Sequence, residues 1–384
     1  FVSSYHLAEW FAWNWWRLRW EPRTSAGDWL FAHSLTAIGN GYVWPHITIF
    51  SDGERIALVA KPTQEQSPTS FRYISNAAAI VPAQQFEASI DNFIDQIINR
   101  LREEHVGNTN LHNVWSDIRK ERQDKAVALW RKFEALLGAD PDEGDAGTVA
   151  RLIKDAESLG EGAMGEIAAH HAQGEDILTA TTLQEVANTV GFEGAPLGRA
   201  CLREYALPKK TEVPAWRLGA EVAMALRAQE GLGKGLVTDK ILAELAGVSE
   251  SILSPDEKTH QSLAFVLDEN GQKRRIVLRA KWSTGRRFEL ARLLGDQLVN
   301  AGETGLFPAT RTHTFRQKVQ RSFAAEFLAP FEEVKKQLNG DYSEENQHDI
   351  AGNFDVPPLM INTLLLNHQI LERDDLVEFD TNIV

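Results

Sequence analysis

Cysteine is almost absent from this sequence, because Cys201 is the only one among 384 residues. A single thiol cannot form an internal disulfide or a four-cysteine zinc site, and such scarcity is typical of a protein from a reducing compartment. Long hydrophobic runs are missing too, since no stretch approaches the roughly 18 uninterrupted apolar residues that a membrane-spanning helix needs. We therefore expect a cytoplasmic protein that does not enter a membrane.

Positive charge is in deficit, with 40 Lys and Arg against 54 Asp and Glu. The net charge of −14 disfavours broad contact with phosphate backbones or anionic membranes and favours protein partners. Hydrophobic residues make up 43% of the chain, which indicates a folded protein with real cores. At this length, two or three domains are expected.

Tryptophan is concentrated at the N-terminus, where residues 1–30 hold six of the eleven. Residues 4–20 are apolar on nearly every face of a helix, which predicts a buried helix. Alternating apolar residues over 47–58 flank a Ser-Asp-Gly turn and predict a β-hairpin. We assign residues 1–110 to a Trp-rich α+β domain with a small antiparallel sheet.

The rest of the chain is predominantly helical. Residues 111–255 are predicted to form a helical middle region, and 256–384 a C-terminal domain that starts with a hairpin over 263–279. Two pieces, 182–192 and 239–253, each resemble half of a helix-turn-helix. Neither second helix carries the Arg, Asn and Gln side chains that reading DNA bases requires.

Four motifs follow one another in the last third of the chain. They are the hairpin over 263–279, the helix after Arg286-Arg287-Phe288, the run Phe-Ala-Ala-Glu-Phe-Leu-Ala-Pro over 323–330, and a helical pair around Phe354-Asp355-Val356-Pro357. In this order they resemble the ImmA/IrrE family of zinc metallopeptidase-like proteins, over roughly residues 214–370. The resemblance implies a zincin-like C-terminal domain. It also implies a role in bacterial or phage-related regulation, such as a stress response, control of a repressor, or defence against mobile elements.

The family holds zinc on an H-E-x-x-H helix, in which two histidines one turn apart bind the metal and the glutamate is the general base. The resemblance places the first ligand at Arg292, the base at Leu293 and the second ligand at Asp296, with the third ligand at Val319 on the next helix. An arginine cannot bind a cation, and a leucine cannot move a proton. The resemblance thus implies a pseudo-metallopeptidase with no metal, no cofactor and no catalytic residue, because a catalytic zinc needs about three protein ligands.

Arg292 and Asp296 are one helical turn apart and can form a pair. We hypothesise that this pair, joined by Glu326, fills the space of the metal, with His313 as a further polar candidate in the cleft. A peptidase cleft without metal is still a groove beside a sheet edge, which can hold an extended peptide. The main prediction is a scaffold or regulator that binds a protein partner, and the Trp-rich domain could serve a homo-oligomer.

Two alternatives stay open. One is a nucleic-acid-binding regulator, which requires that the C-terminal arginines form one basic patch. These arginines are Arg274, Arg275, Arg279, Arg286, Arg287, Arg311, Arg316 and Arg321. The other alternative is an enzyme with an unrecognised site, because catalytic groups can assemble from distant parts of a chain.

Overall fold

The computed structural model describes residues 3–24, 28–63, 71–195, 200–203, 207–257, 261–269, 273–303 and 305–371. The chain divides into two compact units. The first comprises Phe1–Lys154 and Ala168–Glu175, and the second comprises Asp155–Ile167 and Asp176–Val384. The predicted boundaries at residues 110 and 255 each fall inside a unit. The division into three domains or regions at these boundaries stays a prediction.

The predicted α+β class is confirmed. Helices dominate the described residues, and these residues also form two small antiparallel sheets. Within the same residues, none of the helices combines the length and the apolar character that crossing a bilayer requires.

The first unit contains a three-stranded antiparallel sheet in the order β1-β2-β3. Its elements are α1 (Ser4–Trp13), α2 (Trp15–Trp20), α3 (Trp29–His33), β1 (His46–Ser51), β2 (Arg55–Lys61), β3 (Ala77–Pro82), α4 (Ala83–Glu103), α5 (Asn110–Gln123) and α6 (Lys125–Leu136). The predicted hairpin is confirmed, with Ile49 opposite Leu58. Gly53 closes its turn with a positive φ of 99°, a conformation that favours glycine.

Tryptophan side chains form much of the first unit's core. Trp10, Trp15 and Trp16 are buried, as predicted. The single predicted helix over 4–20 is wrong, because Asn14 separates α1 from α2. Both the backbone N–H and the side-chain amide of Asn14 donate to the carbonyl oxygen of Trp10. Trp13, at the end of α1, is exposed rather than buried.

The second unit contains a four-stranded antiparallel sheet in the order β4-β6-β5-β7. Two helices, α7 (Ala146–Leu159) and α8 (Glu161–His171), contribute residues to both units. The remaining elements are α9 (Ala180–Val190), β4 (Phe192–Gly194), α10 (Ala215–Gln229), α11 (Asp239–Ala246), β5 (Ala264–Glu269), β6 (Lys273–Val277), α12 (Ser283–Val299), β7 (Gly305–Ala309), α13 (Phe315–Leu328), α14 (Phe331–Leu338), α15 (Glu344–Phe354) and α16 (Pro358–Asn367). The C-terminal hairpin, the break at Pro330 and the final helical pair agree with prediction.

Neither predicted half of a helix-turn-helix has that geometry. Helix α9 is followed at once by β4, which pairs with β6. After α11, Gly247 adopts a left-handed conformation with φ 64°, and the chain then forms only a short 3-10 turn over Glu250–Leu253. These two pieces therefore give no support to DNA reading.

Helices α10, α12 and α13 pack so closely that two contacts require glycine. A Cβ atom added to Gly219 of α10 would lie 2.5 Å from the carbonyl oxygen of Val319. A Cβ atom added to Gly295 of α12 would lie 2.5 Å from the ring of Phe323. The Phe-Ala-Ala run that begins at Phe323 thus serves close helix packing, and this packing brings the polar side chains of α12 and α13 together.

Candidate functional site

Helix α12 is buried along most of its length. Its buried polar side chains are Arg286, Arg287, Glu289, Arg292, Asp296 and Gln297. A helix that is buried on nearly all sides cannot direct these groups to water, so each one needs a partner within the protein. At the two positions on α12 that the resemblance assigns to zinc ligands, the side chains therefore have to bond to other groups of the protein.

Arg292 extends from α12 towards β7 and α13. Its Nη2 donates to the carbonyl oxygen of Thr310 at 2.7 Å. The same nitrogen donates to the side-chain oxygens of Gln317 at 2.6 Å and Gln320 at 3.4 Å. Arg292 is 6% exposed, and burial lowers the pKa of its guanidinium to about 9. The hypothesis of an Arg292–Asp296 pair is wrong, because neutral oxygens hold the guanidinium.

Asp296 pairs instead with Arg316 of α13. Nε of Arg316 donates to Oδ1 at 2.8 Å, and Nη2 donates to Oδ2 at 2.8 Å. Asn300 donates to the same carboxylate at 2.9 Å, and Arg316 also reaches Glu303 at 2.9 Å. Burial alone would lower the pKa of Arg316, but the charge and the hydrogen bonds of Asp296 raise it. The bidentate geometry makes Arg316 a stronger partner for Asp296 than Arg292 would be.

Glu166 of α8 adds a second buried carboxyl. Its Oε2 accepts hydrogen bonds from the hydroxyl groups of Thr314 at 2.8 Å and Thr312 at 3.1 Å. Burial raises the pKa of Glu166, while the nearby charge of Arg316 acts in the opposite direction. We call the set Glu166, Arg292, Asp296, Arg316, Gln317 and Gln320 the polar layer.

The polar layer also closes the free edge of the sheet at β7. The side-chain amides of Gln317 and Gln320 both donate to the carbonyl oxygen of Pro308, at 3.0 and 2.9 Å. The backbone N–H of Thr310 donates to the side-chain oxygen of Gln317 at 2.9 Å. Groups that are already bonded cannot pair with an added strand. The peptide groove expected beside the sheet edge is therefore closed at Pro308 and Thr310.

The positions that resemble the general base and the third ligand are apolar. Leu293 and Val319 are both buried in the hydrophobic core of the second unit. Among the described residues, no group of three or more His, Cys, Asp or Glu side chains is arranged to hold a metal ion. The polar layer consists of positions that form hydrogen bonds, and the two apolar positions beside it pack against the core.

The eight arginines considered as a nucleic-acid patch do not form one exposed surface. Arg274, Arg286 and Arg287 are buried and donate to backbone carbonyl oxygens. Their guanidinium groups therefore stabilise the fold from inside. Arginines in such positions cannot release counterions from a phosphate backbone.

The other five arginines are also mostly committed to protein partners. Arg279 pairs with Glu289 at 3.0 Å, and Arg316 belongs to the polar layer. Arg321 donates to the carbonyl oxygen of Thr312 at 2.7 Å, and Arg275 is half-buried. Of the eight, only Arg311 is exposed. The structure thus gives this alternative little support, and it stays a prediction.

The two further polar candidates lie in different places. His313 is half-buried in the loop between β7 and α13. Glu326 does not join Arg292 and Asp296, because it lies on the opposite face of α13. There it accepts a hydrogen bond from the backbone N–H of Phe331 at 3.2 Å.

Glu326 lines a cavity of about 270 Å³ between helices α10, α12, α13 and α16. The other lining residues are Trp216, Ala220, Phe288, Arg321, Ser322, Ala325, Pro357, Leu359, Met360, Thr363, Leu364, Asn367 and His368. Most of these walls are apolar or aromatic. Glu326 is 6% exposed, and burial raises the pKa of its carboxyl to about 7. A mostly apolar cavity with a few polar groups is the usual form of a ligand site.

Sequence reasoning found Glu326 but not the cavity around it. Trp216, Phe288 and His368 come from separate parts of the chain, and no spacing rule joins them. Comparison with protein-family models, curated proteins and solved structures finds no match to this chain. The resemblance described above therefore depends on the motifs alone.

Proposed function

We propose that this protein is a non-catalytic relative of the ImmA/IrrE metallopeptidase-like proteins and acts by binding another protein. The arrangement of α12 and α13 supports the relationship. Arg292 and Asp296, which stand where the resemblance puts zinc ligands, both contact α13. Helix α13 also carries Val319, which stands where the resemblance puts the third ligand.

The contacts of Arg292 are the observation that carries the proposal. A buried guanidinium stands at the position that the resemblance assigns to the first ligand, and Thr310 and Gln317 hold it there. A fixed positive charge in a buried site repels a divalent cation, since Coulomb interactions are strong where water is excluded. Leu293, in the position of the base, has no group that could accept a proton from water.

The cavity beside α13 is the best candidate for the protein-binding site. Trp216 on its wall is 38% exposed, and Leu359 is 64% exposed. Exposed apolar side chains that border an apolar cavity are typical of surfaces that bind proteins, and tryptophan is enriched at their energetic centres. By resemblance, the partner would belong to bacterial stress, mobile-element or anti-phage regulation.

The test is retention of a partner by tagged protein from its native host. We expect the wild-type chain to retain one stoichiometric protein, identified by mass spectrometry. The double variant Trp216→Ala/Leu359→Asp should lose it, because it removes the exposed apolar wall and adds a charge. The matched control is Trp282→Ala, since Trp282 is 62% exposed in the same unit but does not line the cavity.

Two outcomes would contradict the proposal. Equal retention by the cavity variant and by the control would mean that the partner binds elsewhere. Zinc-dependent cleavage of the retained protein by the purified wild-type chain would mean that the chain is an active peptidase.

A further inference from the structure

We propose that the cavity between α10, α12, α13 and α16 binds an apolar group that carries a primary amine, with the ammonium paired to Glu326. A lysine side chain of a partner protein has this chemistry. The inference rests on the proposed function only in taking the cavity as the partner's binding site. It can be tested on the purified chain with small amines.

Glu326 has an oxygen atom available to a ligand. Its Oε2 accepts from the backbone N–H of Phe331 at 3.2 Å. Its Oε1 accepts no hydrogen bond from the described residues. This oxygen is also not fully buried, so a ligand in the cavity can reach it. The side chain is more than nine-tenths buried in a cavity that it lines. A carboxylate in this position gains most from a ligand that donates hydrogen bonds and carries positive charge.

The cavity walls suit the rest of such a ligand. Trp216, Phe288 and His368 place three aromatic rings around the cavity, and aromatic faces attract cations. The His368 ring stacks on Phe331 with centroids 3.4 Å apart, which fixes its orientation. The cavity of about 270 Å³ is large enough for one side chain of moderate size.

Charges of both signs lie around the cavity, so the preference for a cation comes from the Oε1 atom of Glu326, which has no donor among the described residues. Arg227 on α10 and Glu332 on α14 act on Glu326 with opposite signs. Arg227 does not bond to Glu326, because its donors go to the carbonyl oxygens of Phe327, Gly233 and Gly235. Arg321 lines the cavity too, but its Nη2 binds the Thr312 carbonyl, and the charge of Glu166 acts on it.

The protonation state of Glu326 gives binding a distinctive pH dependence. Its pKa of about 7 means that the carboxylate is mostly neutral at pH 6 and mostly ionised at pH 8. A primary amine, with a pKa near 10, stays protonated throughout that range. Burial lowers the pKa of His368, which disfavours a positive charge on its ring. Affinity should therefore rise about tenfold from pH 6 to pH 8.

The experiment is calorimetric titration of the purified full chain with three matched ligands. They are 2-phenylethylamine, 2-phenylethanol and 3-phenylpropionate, which share the ring and differ in charge. We expect the amine to bind at least about tenfold tighter than the alcohol at pH 8. Glu326→Gln should remove that advantage and the pH dependence. Glu332→Gln, which changes an exposed carboxyl near the cavity, should keep both.

Three results would overturn the inference. They are equal binding of the amine and the alcohol, preferred binding of 3-phenylpropionate at Arg321, and absence of binding by all three ligands. Each differs from failure of the proposed function. If the Trp216→Ala/Leu359→Asp variant loses the partner but the wild-type chain does not bind the amine, only the amine proposal is rejected. Amine binding without any retained partner would reject the protein-binding proposal alone.

Discussion

The two faces of helix α13 differ in how fully their buried polar side chains are hydrogen-bonded. On one face, Arg316, Gln317 and Gln320 belong to the polar layer, where carboxylates, amides and backbone groups bond to one another. On the other face, Glu326 lies in an apolar cavity, and one of its oxygens has no partner among the described residues. Arg292 Nε is an exception within the polar layer, because this buried donor has no partner among the described residues. A network in which most groups are bonded stabilises a fold, whereas an accessible carboxylate oxygen that lines a cavity and lacks a donor indicates a site where a ligand can bind.

This difference separates two uses of one helix. The polar layer holds α12, α13 and β7 together through hydrogen bonds that leave few groups for a ligand. The cavity side retains an unused carboxyl whose burial is unfavourable to stability. Breaking the Asp296–Arg316 ion pair on the first face should therefore lower stability, whereas neutralising Glu326 on the second face should raise stability and weaken the binding of a cation.

The largest effect is expected from Arg316→Met. It leaves the carboxylate of Asp296, which is 1% exposed, without its ion pair. The free energy of unfolding should fall by about 3–5 kcal/mol, as measured by denaturant titration. The double variant Asp296→Met/Arg316→Met should recover most of that loss, because it removes both charges. A single variant as stable as wild type would mean that this pair does not hold the polar layer together.

Glu326→Gln should raise the free energy of unfolding, whereas Arg316→Met should lower it. The folded protein holds this carboxyl with a pKa of about 7, above the ordinary value of 4.5. Between these two values the unfolded chain has released the proton while the folded chain retains it, so the wild type loses stability as pH rises. The variant should gain up to about 3 kcal/mol relative to wild type between pH 4 and pH 8. A stability difference that does not change with pH would remove the contrast between the two faces.

Arg292→Met should change stability by no more than about 1 kcal/mol. The variant loses the hydrogen bonds to Thr310 and Gln317, but it also relieves the cost of burying a cation whose pKa is lowered to about 9. Its affinity for 2-phenylethylamine should equal that of wild type, because Arg292 does not line the cavity. Weakened amine binding would show that the two faces are coupled.

The smallest effect is expected from Arg311→Ala, which should change stability by less than about 0.5 kcal/mol. Arg311 is the one exposed arginine of the eight considered for nucleic-acid binding. Fluorescence titration with duplex DNA should show weak binding that this substitution leaves unchanged. Tight binding that falls steeply with salt would instead favour the nucleic-acid alternative.

The sequence predicted much of the local structure of the second unit. The hairpin, α12 and the break at Pro330 follow from periodicity and from the limits that proline sets. The partner of Arg292 could not be predicted, because its acceptors lie on β7 and α13 rather than one turn away on its own helix. Helical spacing alone predicted Asp296 as the partner of Arg292. In the structure, Arg316 on another helix forms a bidentate ion pair with Asp296.

The cavity was beyond sequence reasoning for a similar reason. Glu326 belongs to the Phe-Ala-Ala run, so the motif drew attention to it but placed it beside Arg292 and Asp296. Its true direction depends on how four helices pack around it, and that packing depends on close contacts such as the one at Gly219. Single-sequence patterns contain no information on such long-range contacts.

The most direct test of the proposal that this chain has lost a metal site is the zinc content of two purified proteins. One is the wild-type chain, and the other carries Arg292→His, Leu293→Glu, Asp296→His and Val319→Glu. After incubation with zinc and dialysis, mass spectrometry of the metal should find none in the wild type and one zinc per chain in the variant. Stoichiometric zinc in the wild type, or a variant that keeps its circular dichroism spectrum and takes up no zinc, would contradict the account.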